Sequence, residues 1–259
     1  MSGNLSAKIK VRDKYDREAE SYDELYLEEQ LKKYALMAKL VSLNGNQAYL
    51  DCGCGTGLLI ERALRGVKLA VGVDFSFGML RRAKEKLKGR RSVELVLADG
   101  NHLPFIDGAF HTAFSFTVVD GKVNREGMLA EIHRTLRPGG LAVVSVVKGA
   151  MDLKEFKLML KRSKFRALQV FNEAWVKDYL AVCRASKRAL KPSFHSSFCG
   201  FTPRKLFDKS TLSNFGSFIN NASISSTNSL ANLLGNVTFS SIKSMGKGKP
   251  VASLKLGLA

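Results

Sequence analysis

Cysteines in metal or disulfide spacing are absent from this 259-residue chain. There are four cysteines and no CxxC, and two of the four, Cys52 and Cys54, share one glycine-rich turn. Neither a zinc ribbon nor a disulfide framework is suggested, and a reducing compartment is expected. Long apolar runs are missing too. The longest, such as Leu141 to Val147, are strand-sized, so no stable membrane span is expected. No hydrophobic segment follows the charges of MSGNLSAKIK, so no signal peptide is read and a cytoplasmic location is expected. Acidic residues are scarce, 23 against 41 Lys and Arg, for a formal charge of +18. The imbalance is local. Residues 1–50 hold 8 basic and 8 acidic side chains, residues 51–150 hold 15 and 10, and residues 151–259 hold 18 and 5. The last part should therefore face anything anionic: RNA, an anionic membrane surface or a small anion. A lysine-rich solvated surface accounts for the same numbers. With 45% hydrophobic residues, the chain can bury one large core, or a core with an appendage.

Apolar residues recur at helical spacing from Asp23 to Val41, and Gly45 follows as a stop. A short strand, Ala48 to Leu50, leads into the turn and a helix from Leu58 to Leu64. Lys68 to Val73 reads as a buried strand. Ser76 can cap a basic helix, Gly78 to Leu87, closed by Gly89. Val93 to Leu97 and His111 to Phe116 are the third and fourth strands. Asn124 to Leu136 is helical and stops at Pro138-Gly139-Gly140. Leu141 to Val147 is a fifth strand, apolar throughout and so buried on both faces. Such alternation between residues 48 and 147 predicts βαβ units and a parallel sheet covered by helices. After Lys148 the chain turns basic and aromatic, and two helices are expected before residue 191. From Ser210 it is rich in Ser and Asn, with Phe218 to Ser226 and Val237 to Ile242 as the last strands.

Ligands of parallel sheets bind beyond the carboxyl ends of the strands, and the turn LDCGCGTGLL lies at the first of those ends. It departs from the dinucleotide fingerprint G-x-G-x-x-G, because Leu58 stands where the third glycine belongs. Asp51 closes the strand and should point into the crevice. Opposite a pyrophosphate it would repel by about 4 kcal/mol at 4 Å and an effective dielectric near 20. It suits a ligand carrying an ammonium group instead; the alternative is that it caps the turn. Asp74 ends the second strand, where such folds place the carboxylate that accepts ribose hydroxyls. Asp99 ends the third. Three carboxylates on one rim favour a cationic nucleoside over NAD or ATP.

In order, LDCGCGTG, VGVDFSFGML, LADGNHLPF and LRPGG resemble successive motifs of the class I S-adenosylmethionine-dependent methyltransferases. The resemblance is greatest to the subgroup of small-molecule and quinone-biosynthesis enzymes. It covers roughly residues 12–148, and YDREAESYDELY resembles the subgroup's N-terminal segment, which lies over the cofactor. It implies an α/β, Rossmann-like, mostly parallel seven-stranded sheet with helices on both faces and a helical substrate-cover insertion. The expected layout is one methyltransferase domain over residues 1–259: a cofactor-binding core at 12–148, a basic helical cover at 149–209 and final strands at 210–259. The resemblance also implies S-adenosylmethionine as cofactor. Asp51, Cys52 and the Gly53–Gly57 backbone, Gly55 included, would surround the methionine portion. Asp74 would take the ribose hydroxyls, with Phe75 beside the adenine. Asp99 would accept from the adenine amino group, with the Gly100 backbone adjacent. Ser115 and Phe116 would line the floor near the sulfonium, and Tyr22 would close the site. The family commonly has Phe-Asp where this chain has Phe110-His111, which puts local packing there in doubt.

Methyl transfer from a sulfonium needs a nucleophile held in line at about 3–3.5 Å and water excluded. No metal is called for, and no metal-spaced cluster or serine elbow is present. SFTVVDG after the fourth strand lacks the prolines of exocyclic-amine methylation and the cysteine of pyrimidine carbon-5 methylation. Cys183 and Cys199 lie later and read as buried or incidental. His195 in KPSFHSSF is the candidate base if the acceptor is a hydroxyl, although an ordinary surface histidine fits as well. His133 reads as structural, and His102 lies near the adenine side. In the basic segment Phe156, Met159, Leu160, Leu168, Phe171, Trp175 and Leu180 could wall a pocket. Lys154, Lys157, Lys161, Arg162, Lys164 and Arg166 could rim it. The leading expectation is a methyltransferase for a small or lipid-like acceptor, anionic in part. The alternatives are an RNA methyltransferase using the basic C-terminal region and a non-catalytic module that binds the cofactor. Nothing in the sequence speaks to oligomeric state.

Overall fold

The computed structural model describes residues 2–118 and 124–186. Two helices, α1 (Ser2–Glu18) and α2 (Tyr22–Ala38), precede the alternating part. That part runs β1 (Ala48–Cys52), α3 (Leu58–Arg62), β2 (Leu69–Asp74), α4 (Phe77–Lys86), β3 (Val93–Leu97), β4 (Phe110–Ser115), α5 (Arg125–Thr135) and β5 (Leu136–Val147). It closes with α6 (Leu153–Arg162), β6 (Phe165–Phe171) and β7 (Asp178–Ala185). The seven strands form one sheet in the order β3-β2-β1-β4-β5-β7-β6. The first five strands are mutually parallel, and β7 runs antiparallel to both its neighbours.

Strand alternation sends successive side chains to opposite faces, and each face has its own core. Leu50, Val71 and Val144 pack with Ile132 of α5 and Phe156 and Leu160 of α6. Tyr49, Ala70 and Val143 pack with Leu36 and Met37 of α2, Ile60 of α3 and Leu80 of α4. With both faces covered, β1 and β2 are buried along their whole length. Chain order reverses between β1 and β4. That switch point opens a crevice at the carboxyl ends of the strands.

Local signals explain several boundaries. Ser76 caps α4, its Oγ accepting from the Met79 amide at 3.1 Å. Asn124 caps α5 through the Gly127 amide at 2.9 Å. The departure at His111 is accommodated: its Nδ1 accepts from the Ala48 amide at 3.3 Å, tying the start of β1 to β4. Burial holds this imidazole below its ordinary pKa, with Arg137 adding to the effect, so it stays the neutral acceptor that the bond needs.

The region after Lys148 requires correction. Only the first expected helix forms, as α6. The second is a hairpin, and β6 and β7 complete the seven-stranded sheet by Ala185. β7 lies between β5 and β6, with Leu180 and Val182 in one core and Ala181 and Cys183 in the other. An apolar run buried on two faces looks the same to helical and strand spacing. The break after α6 is made by Lys164 at φ +64, a left-handed residue that no glycine announces. The expected apolar wall is not built either. Phe156, Met159, Leu160 and Leu180 are core, while Leu168 and Trp175 are 41% and 48% exposed. Residues 187–259, and with them Phe218 to Ser226, Val237 to Ile242, His195 and Cys199, lie outside the described residues. Among the described residues no helix is long and apolar enough to cross a membrane.

Candidate functional site

The crevice offers about 860 Å³ of empty space, part of it open to solvent. Its base is the end of β1 and the turn after it. The Gly53 and Cys54 amides both donate to the Val73 carbonyl, at 2.7 and 2.9 Å, which folds the turn back over β2. Gly53 sits at φ +81, and a Cβ there would lie 2.2 Å from Val118 Cγ2, so only glycine lets the segment after β4 cross the turn.

Each expected rim carboxylate lies at a strand end. Asp74 is buried, and its two oxygens accept the Gly55 and Ser76 amides, each at 2.9 Å. Burial raises its pKa to about 6 despite those amides. Asp51 is 3% exposed and its Oδ2 has no partner. Burial, with Asp74 nearby, raises its pKa to about 8. Asp99 differs. Although burial works against its charge, Lys8 of α1 at 2.5 Å and the Asn101 amide at 2.9 Å hold it below the usual carboxylate range. An unpartnered buried carboxyl beside a cavity is the acceptor a cationic group requires, so the residues fit S-adenosylmethionine.

Tyr22, Cys52, Gly53, Gly55, Asp74, Phe75, Asp99, Gly100 and Phe116 all line the crevice. Asp51 lines a smaller side cavity that opens from the same turn. Ser115 does not reach the crevice: it is fully buried beneath the Phe116 floor, its Oγ without a partner. Burial pushes the Cys52 and Cys54 thiols upward, so neither is a ready nucleophile. His102 is exposed and outside the lining, and His133 is buried against Ser186 Oγ at 3.0 Å. Among the described residues no group of three His, Cys, Asp or Glu is placed to hold a metal.

The roof comes from α1, which the sequence did not mark as a helix. Lys8, Val11 and Tyr15, one helical face, line the crevice. Asp16 anchors the far end, its Oδ1 accepting from Ser76 Oγ at 2.6 Å and the Gly78 amide at 2.8 Å. A Cβ on Gly78 would lie 3.0 Å from the Asp16 backbone, so α1 seats there against bare main chain. The basic side chains 154, 157, 161, 162, 164 and 166 take no part: all are exposed and none lines the crevice.

One further group was not legible in the sequence. Lys33 of α2 is 1% exposed and pairs with Asp178 Oδ2 at 2.9 Å. The same oxygen accepts from Ser145 Oγ at 2.7 Å and Thr117 Oγ1 at 2.9 Å. Lys33 also donates to Thr117, at 2.5 Å. This cluster holds Thr117, which lines the crevice, at φ +61, a strained value for a β-branched residue.

Residues 50–144 match the family model described as "Methyltransferase domain". The chain is 31% identical over 214 residues to a malonyl-[acyl-carrier protein] O-methyltransferase of Geobacter sulfurreducens, covering 69% of this chain and 79% of that protein. It is 30% identical over 154 residues to a demethylmenaquinone methyltransferase of Staphylococcus saprophyticus, covering 55% and 64%. Among solved structures, an S-adenosylmethionine-dependent methyltransferase of Aquifex aeolicus superposes with a TM-score of 0.57 at 16% identity, over 65% of this chain and 97% of that one, a likeness of fold.

Proposed function

Because the chain belongs to the class I S-adenosylmethionine-dependent methyltransferases, we propose that it methylates a small or lipid-like acceptor held in the crevice under α1. The observation that carries this reading is the roof: Lys8, Val11 and Tyr15 close the crevice from above, leaving a mainly apolar space rather than an open basic groove. Relatives named for malonyl-[acyl-carrier protein] and demethylmenaquinone support an acceptor of that class. An RNA methyltransferase is not favoured by these relatives, and the described basic residues of α6 and β6 are exposed and off the crevice lining.

When bound, S-adenosylmethionine supplies an electrophilic methyl group on sulfur. In this reading Asp74 accepts the ribose hydroxyls on lone pairs left free by the Gly55 and Ser76 amides. Asp99 and the Gly100 backbone take the adenine edge, with Lys8 sharing Asp99. Phe75 lies beside the base, and Asp51, Cys52, Gly53 and Gly55 surround the amino-acid tail. Phe116 and Thr117 form the floor on the side of β4 and β5, where the acceptor sits. Tyr15 and Tyr22, in edge contact at 6.4 Å, exclude water from above.

Methyl-labelled S-adenosylmethionine incubated with fractionated cell extract tests the acceptor class. Label should enter organic-soluble or small acidic material. Label that enters RNA, together with tRNA binding that persists at physiological salt, would overturn the reading in favour of an RNA substrate.

A further inference from the structure

Four polar side chains meet near the carboxyl ends of β4 and β5: Lys33 of α2, Thr117, Ser145 and Asp178 at the start of β7. Lys33, Ser145 and Asp178 are buried, and Thr117 alone of the four lines the crevice, beside Phe116. An ion pair at this depth often adds nothing over apolar side chains of similar volume, so packing does not call for it. What the cluster holds is Thr117, at φ +61. The Thr117 amide donates to Ser145 Oγ at 3.0 Å, and the hydroxyl is bonded on two sides. Backbone strain kept in place by several partners clusters at functional positions.

The cluster also fixes the polarity of the Thr117 hydroxyl. Asp178 Oδ2 lies 2.9 Å from Thr117 Oγ1 and, as the counter-charge of Lys33, has no hydrogen to give, so the threonine hydrogen is committed to it. Lys33 can only donate, and takes one of the two lone pairs on Oγ1. Among the described residues nothing else bonds to that oxygen, so its second lone pair is what remains for a ligand. A group that meets a lone pair must bring a hydrogen. A hydroxyl or an N–H fits, and a carboxylate or a carbonyl does not.

We propose that Thr117 receives the acceptor through a hydroxyl or N–H group and takes its proton, passing its own to Asp178. The proposal rests on the reading of a small or lipid-like acceptor and narrows it to one methylated on an oxygen or nitrogen that bears hydrogen. In the step, that heteroatom bonds to the methyl carbon while the carbon–sulfur bond breaks, its electron pair staying on sulfur. The hydrogen of the heteroatom moves to Thr117 Oγ1, and the hydrogen already on Thr117 moves to Asp178 Oδ2. The heteroatom turns positive as the methyl arrives, so its hydrogen becomes strongly acidic and even a carboxylate paired with an ammonium receives it. Once the product leaves, the same path returns the proton to water. Thr117 touches the acceptor and is the catalytic residue. Asp178, Lys33 and Ser145 act through it and are positioning residues.

The full chain is tested in two ways. First, the wild type labels the organic-soluble fraction of a cell extract from methyl-labelled S-adenosylmethionine, and the product is treated with mild alkali and then with hot hydriodic acid. The label should survive alkali and turn volatile in hydriodic acid, as a methyl on an ether oxygen or an amine nitrogen does. Release by alkali would show a methyl ester and hence a carboxylate acceptor, and label stable to both would show a methyl on carbon. Either result would overturn the proposal and leave the small-acceptor reading standing. Second, Thr117→Val should slow labelling about a hundredfold or more, the scale of a lost proton acceptor, while Thr117→Ser stays within about fivefold of the wild type. Calorimetry should find S-adenosylhomocysteine bound by both variants within about twofold of the wild-type affinity. A near-normal rate in Thr117→Val, a Thr117→Ser as slow as Thr117→Val, or an affinity loss that matches the loss of rate would each overturn the proposal. A wild type that labels no small molecule would overturn the acceptor reading as well.

Discussion

Asp178→Ala should lower the unfolding free energy by about 3–5 kcal/mol, because it leaves the Lys33 ammonium buried without its counter-charge. Lys33 and Asp178 are 1% and 2% exposed, and Asp178 Oδ2 alone gathers Lys33, Ser145 and Thr117. Removing it strands three donors, for which water cannot substitute at that depth. For a domain of this size each kcal/mol is worth about 2–4 °C, so the midpoint should fall by roughly 6–20 °C. The double replacement Lys33→Met, Asp178→Leu should recover most of the loss, since an apolar pair of similar volume often matches a buried ion pair. Thermal and urea unfolding of the three proteins decide the matter. A loss under about 1 kcal/mol for Asp178→Ala would show that the pair is hydrated and that Thr117 is held in its left-handed conformation by something else.

Asp74→Ala should weaken S-adenosylhomocysteine binding at least tenfold, and about a hundredfold if both ribose hydroxyls lose their acceptor. Two effects act together. The charge-assisted bonds to ribose disappear, each worth about 1.5–3 kcal/mol. The brace that ties the Gly55 amide to the end of β2 disappears as well. Asp74→Asn separates the two, because the amide keeps an oxygen for one backbone donor but has lost the charge. It should bind more weakly than the wild type and better than Asp74→Ala. Unchanged affinity in Asp74→Ala would move the ribose contact away from β2.

The alternating half of the chain was legible because its signals are local. Strand-end acids at positions 51, 74 and 99, the cap at Ser76 and the apolar run at 141–147 each declare a boundary without reference to distant residues. What escaped depends on partners far along the chain. Lys32 and Lys33 look alike in sequence, yet one is half-buried in an i,i+4 pair with Glu28 and the other is fully buried against a residue of β7. Lys8 reads as a tail lysine and proves to lie on Asp99. The hairpin of β6 and β7 was hidden because an apolar stretch flanked by basic residues fits helical spacing, and Lys164 takes a positive φ without being glycine. The basic excess after residue 150 suggested a pocket rim. Where described, at α6 and β6, it lies on the solvated surface that was the alternative reading.

The measurement that bears most directly on the central claim, that three strand-end carboxylates build a site for a cationic nucleoside with an amino-acid tail, is ligand-dependent stability. At a hundred times its Kd, S-adenosylhomocysteine should add about 2.7 kcal/mol and raise the unfolding midpoint by roughly 5–10 °C. NAD and ATP, whose phosphates would meet Asp51 and Asp74, should leave it unchanged at the same concentration. Equal stabilisation by NAD would contradict the account.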